Sequence, residues 1–84
     1  MYRELISSLT YMYSIICRGK GIIKDQQLTN IAVGAHSLTD ATCQIAEKNP
    51  ENLTNNDRAY LKEAEKIDDQ IEEMLMFLNS LEIV

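Results

Sequence analysis

The sequence predicts an all-α fold, a three-helix antiparallel bundle with helices at about residues 2–18, 25–48 and 55–82. Three observations predict it. Apolar residues recur at helical spacing in three separate stretches. Breakers are scarce, three Gly and one Pro, and all but Gly34 fall between those stretches. Start or stop signals mark the edges of the stretches.

The first stretch sets Tyr2, Leu5, Ile6, Leu9, Met12, Tyr13 and Ile16 on one face, against Arg3, Glu4, Ser7, Ser8, Thr10 and Ser14. Gly19 is expected to close this helix in the left-handed conformation, and Gly21 to prevent a restart. Asp25 reads as the N-cap of the second helix, accepting from free backbone donors of the first turn. The core stripe of that helix is expected to be Leu28, Ile31, Ala35, Leu38, Thr42 and Ile45. Gly34 and Ala41 fall on the same side, so that neighbouring backbones could approach closely. A glycine in mid-helix costs about 1 kcal/mol relative to Ala, which marks Gly34 as the place for a bend.

Pro50 ends the second helix, and the turn-rich connector NPENLTNN follows. Thr54 and Asp57 resemble a capping box that launches the third helix. The connector is short, which predicts an antiparallel hairpin. Tyr60, Ala64, Ile67, Ile71, Met74, Leu78 and Leu81 then recur in alternating steps of four and three, forming the seam around which the other helices must pack. Glu82 projects into this seam, so the last residues are expected to fray or turn away. The pattern equally allows helix one to pack on a second subunit, giving a homodimeric helical bundle.

At 84 residues the chain is expected to be one domain, 1–84, near the size where a single core stabilises only modestly. Hydrophobic residues make up 45%, too many for a disordered chain. Net charge is −5 and uneven. Through residue 30, Arg3, Arg18, Lys20 and Lys24 face Glu4 and Asp25, whereas the remainder holds eleven acids against four bases. Most of this surface would repel a phosphate backbone, which argues against general nucleic-acid binding. Membrane association is disfavoured too, because the polar face of helix one is Ser and Thr instead of Lys and Arg. Cys17 and Cys43 fall about 20 Å apart along antiparallel helices, beyond a disulfide, and free thiols suit a reducing cytoplasm.

Candidate chemistry is thin. His36, Asp40 and Cys43 share the outer side of helix two, with His36 and Asp40 placed to share a hydrogen bond. His36 and Cys43 are seven residues apart, about 10 Å, too far for a nucleophile and its base. Asp68, Asp69, Glu72 and Glu73 read as a solvated acidic face. The segment Arg18 to Gly21, RGKG, lacks the preceding strand and the following Ser or Thr of a phosphate loop. No catalytic residue, metal, cofactor or small-molecule substrate is expected.

What remains is surplus apolar surface. Tyr11 and Ile15 lie on the otherwise polar side of helix one, and Met76 and Phe77 lie far from the seam of helix three, with Ile83 and Val84 beyond them. Such surfaces mark partner sites or self-association. The expectation is a small non-enzymatic interaction module, an adaptor, chaperone-like or regulatory protein, binding a protein partner or a second copy through Tyr11, Ile15, Met76 and Phe77. The alternative is a dimeric nucleic-acid regulator using the basic segment Arg18 to Lys24.

Overall fold

The computed structural model describes residues 2–80, in which three helices pack antiparallel around a shared core: α1 (Tyr2–Gly19), α2 (Asp25–Lys48) and α3 (Asn55–Ser80). A single 3₁₀ turn, Pro50–Asn52, lies between α2 and α3. The expectations placed on Leu81, Glu82, Ile83 and Val84 lie outside the described residues. The bundle is a rod of 49 × 17 × 17 Å. Its radius of gyration is 14.2 Å, against about 12 Å for a compact domain of this length. The core is therefore one layer deep along the whole rod.

α1 packs on both other helices of its own chain, most extensively on α3. Leu5, Leu9 and Ile16 are buried, with Ile6, Met12 and Tyr13 packed at the core's edge. The seam of α3 is as the spacing predicts: Ala64, Ile67, Ile71 and Leu78 are buried and Met74 packs against them. Leu9, Ile16, Leu28 and Ile71 are the largest fully buried side chains. Each contributes about 1.5–3 kcal/mol of burial free energy.

α2 departs from its expected face. Leu28 and Ala35 are buried, but the other core positions are Thr39 and Ala46, while Leu38 and Ile45 are 40% and 59% exposed. Gly34 and Ala41 are exposed with them. Leu28 and Ala35 belong to both faces, so the helix is turned by about 50°, half a residue's rotation, from the face that hydrophobicity alone selects. Thr39 is tolerated inside because its hydroxyl donates to the Ala35 carbonyl at 2.8 Å. α2 runs without interruption through Gly34, a single helix of 24 residues.

The connections also differ in detail from expectation. Gly19 remains helical and buried, and a Cβ there would lie 2.9 Å from both Ile23 Cδ1 and Leu28 Cδ2. Its role is close packing of the turn against α2. Gly21 takes the left-handed conformation instead, with φ +83°. Asp25 is the first residue inside α2, and Lys24 precedes it as a cap without a side-chain bond. Thr54 and Asp57 form the capping box: Asp57 N–H donates to Thr54 Oγ1 at 3.0 Å and Thr54 N–H donates to Asp57 Oδ2 at 3.1 Å.

Gly21→Ala should lower the unfolding free energy by about 1–2 kcal/mol, the cost of a left-handed L residue, as read by urea denaturation. Unchanged stability would mean that the turn has another conformation. Ile71→Asp should abolish the cooperative transition altogether, since it places an unpaired charge in the seam. A variant that still melts cooperatively with full helical content would move Ile71 out of the core.

Candidate functional site

Two surfaces carry most of the side chains that bear on function. The first follows α1. Tyr11 is 69% exposed and Ile15 is half-buried. Together with Ser14, Arg18 and the turn residues Ile22 and Ile23 they line an open hollow of about 370 Å³. Ile22 is 84% exposed, held outward by a turn in which the Ile22 and Ile23 amides both donate to the Gly19 carbonyl at 2.9 and 2.7 Å. Further along α1, a second hollow of about 260 Å³ lies between Tyr2, Leu5 and Ser8 on one side and Leu38, Thr42 and Ile45 on the other.

Glu4, Ser8, Tyr11, Ile15 and Arg18 succeed one another at helical spacing, so the two hollows lie along one face of α1. The rotation of α2 puts Leu38 and Ile45 on that same side. Met76 and Phe77 are exposed, 64% and 57%, but on α3, and they form no part of either hollow. The structure thus groups Tyr11 and Ile15 and leaves Met76 and Phe77 separate from them. Leu38 and Ile45, assigned to the core by their spacing, and Ile22, in the turn between α1 and α2, complete the first surface.

The second surface is the groove between α2 and α3, lined by His36, Thr39, Asp40, Cys43, Glu65, Asp68 and Asp69. Asp68 is buried at 8% exposure, which corrects its assignment to a solvated acidic face. A carboxylate leaves water only when a donor replaces it. Here His36 Nδ1 lies 2.8 Å from Asp68 Oδ2 across the two helices. His36 therefore does not pair with Asp40, whose Oδ2 accepts from Gln44 Nε2 at 3.0 Å.

The hydrogen bond to Asp68 raises the His36 pKa above its ordinary 6.5, helped by the Asp68 charge, opposed by desolvation and further raised by Asp40 and Glu72. Cys43 Sγ donates to Glu65 Oε1 at 3.5 Å. Burial first, and then Glu65, push its pKa up to about 11. At neutral pH Cys43 is a protonated thiol, the unreactive form. Among the described residues no group of three or more His, Cys, Asp or Glu side chains could hold a metal ion. No helix among them is long and apolar enough to cross a membrane. Compared with known protein families, curated proteins and solved structures, the chain matches none.

The groove acts on folding. Because the folded state holds the His36 proton more tightly than the unfolded chain does, the ion pair contributes its full stability below about pH 6.5 and loses it as pH rises through the raised folded value. In an NMR titration the His36 ring should have its midpoint above 6.5 in the native protein and fall back toward 6.5 in Asp68→Asn. An identical midpoint in both proteins would mean that the contact is absent in solution.

Proposed function

We propose that this protein is a non-enzymatic interaction module, of the adaptor, chaperone-like or regulatory kind, that docks a protein through the apolar face shared by α1 and α2. The observation that carries this reading is the grouping of Tyr11, Ile15, Ile22, Leu38 and Ile45, large side chains left exposed or half-buried along one side of the bundle. Contiguous exposed apolar surface on a small acidic protein is costly for solubility and is retained where a partner covers it. Free Cys17 and Cys43 suit action in a reducing compartment, and we assign the protein to the cytoplasm on that basis.

The chemistry in the α2–α3 groove supports the same reading. His36 holds a buried carboxylate and Cys43 is a protonated thiol, so both have structural uses and neither is poised for turnover. The alternative, a nucleic-acid regulator working through Arg18 to Lys24, is weakened at its centre. Lys20 Nζ lies 3.1 Å from Asp25 Oδ1, so part of the cationic segment is neutralised by its own helix.

A photo-crosslinking residue placed at Tyr11, at Phe77 or at the polar position Glu63 of α3 tests the proposal in the native cell. A discrete protein adduct at Tyr11, absent at Glu63, is the expected result. An adduct at Phe77 alone would move the docking face to α3. Adducts to nucleic acid, or none at any position, would overturn the reading.

A further inference from the structure

The geometry points to a second copy of this chain as the occupant of the α1/α2 face, docked antiparallel about a two-fold axis that passes beside Tyr11. This inference rests on the docking face proposed above and names what covers it. Three independent observations support it.

The first is charge. Residues 5–17 of α1 and 26–39 of α2 contain no Asp, Glu, Lys or Arg, whereas α3 alone carries ten of them. A chain of net charge −5 repels its own copy, and the face on which two copies meet at least cost is the one without charges. α3 then remains outermost, keeping its charges in water.

The second is the placement of the charges that border the uncharged stretch. Glu4, Tyr11 and Arg18 are spaced by seven residues, two helical turns, on one line of α1. Tyr11 is the midpoint. A two-fold axis there sets Glu4 of each copy toward Arg18 of the other, so that opposite charges face each other at both ends of the contact, in addition to the contact that Glu4 makes with its own N-terminus. A parallel arrangement would stack Glu4 on Glu4 and Arg18 on Arg18. The surface is therefore self-complementary in one orientation, as a two-fold interface requires.

The third is shape and size. Ile31, Gly34, Leu38, Ala41 and Ile45 of α2 repeat in steps of three and four, the apolar seam of a helix–helix contact. Within the bundle Ile31 packs at the edge of the core, while Gly34, Leu38, Ala41 and Ile45 of that seam are exposed. α1 and α2 run antiparallel, with Gly19 against Leu28 at one end and Tyr2 beside Ile45 at the other. This sets Tyr11 level with the turn of α2 that contains Gly34. A Cβ at Gly34 would meet nothing within 4 Å, so space for a neighbouring side chain is open close to the axis. The contact runs along the 18 residues of α1, about 27 Å at 1.5 Å rise per residue. The assembly is a central layer of α1 and α2 from both copies, with one α3 on each outer side.

Light scattering on a sizing column, over a wide concentration range and with reductant, tests this. The native chain should have twice its 9.6 kDa mass. Gly34→Arg should be a monomer, and it cannot fail merely by unfolding, because replacing a mid-helix glycine that touches nothing strengthens α2. Glu4→Arg should weaken association about tenfold through like charges at both ends. Adding Arg18→Glu to it should restore the native affinity, since the swapped pairs again face each other. A native monomer at every concentration overturns the inference, as does a dimer indifferent to Gly34→Arg or a charge swap without rescue. A monomer that still gives a foreign protein adduct at Tyr11 sinks the second copy while leaving the interaction module standing; no protein adduct at all sinks both.

Discussion

The constraint on which the rest of this structure depends is the side that α2 turns toward α3. Two demands compete for it. Hydrophobicity would bury Leu38 and Ile45, but the bundle buries Ala35, Thr39 and Ala46 and carries Asp68 in beside them. Small residues shorten the distance between helix axes, and α3 with its long seam of Ile67, Ile71 and Leu78 fills the space from its own side. The hydroxyl of Thr39 is satisfied by its own helix and the Asp68 carboxylate by His36, so neither polar group is buried without a partner. Among the described residues no buried side-chain polar atom lacks one.

That choice has a consequence at the opposite side of α2. Turning the small residues inward turns Leu38, Ala41 and Ile45 outward, where they join the stripe of Tyr11 and Ile15 on α1. Charge is distributed to match: α3 is the solvated element and the side shared by α1 and α2 is uncharged along most of its length. The core thins toward the end where Ala46 and Ala64 are buried, and the hollow bounded by Tyr2, Leu38 and Ile45 opens there. A one-layer core of this kind leaves a large fraction of apolar side chains at the surface; Val33, Met76 and Phe77 are exposed elsewhere, and Tyr11, Ile15, Ile22, Leu38 and Ile45 form the group that a docking face needs.

Much of the fold was legible in the sequence because large apolar residues at strict spacing had no rival. The seam of α3, the stripe of α1, the capping box of Thr54 and Asp57 and the breaks at Gly19 to Lys24 and at Pro50 all follow from local chemistry. α2 was legible as a helix but not in its orientation, since its small residues and its Leu and Ile lie on adjacent sides and only tertiary packing decides between them. Asp68 was misassigned for a related reason. Its donor, His36, is 32 residues earlier in the chain, and no local pattern links the two. Of the candidate docking residues, Tyr11 and Ile15 were visible as departures from the stripe of α1. Leu38 and Ile45 were hidden by their apparent fit to a core, although the charge-free runs of α1 and α2 were present in the sequence as a signal.

The orientation of α2 is the central claim, and a double-mutant cycle across His36 and Asp68 tests it most directly. Unfolding free energies at about pH 5.5, where the imidazole is protonated, would be measured for the native protein, His36→Ala, Asp68→Asn and the double variant. If α2 faces α3 as described, the double variant loses clearly less stability than the two single losses added together, because each single change already removes the shared contact. Strict additivity would contradict the account and would return Leu38 and Ile45 to the core.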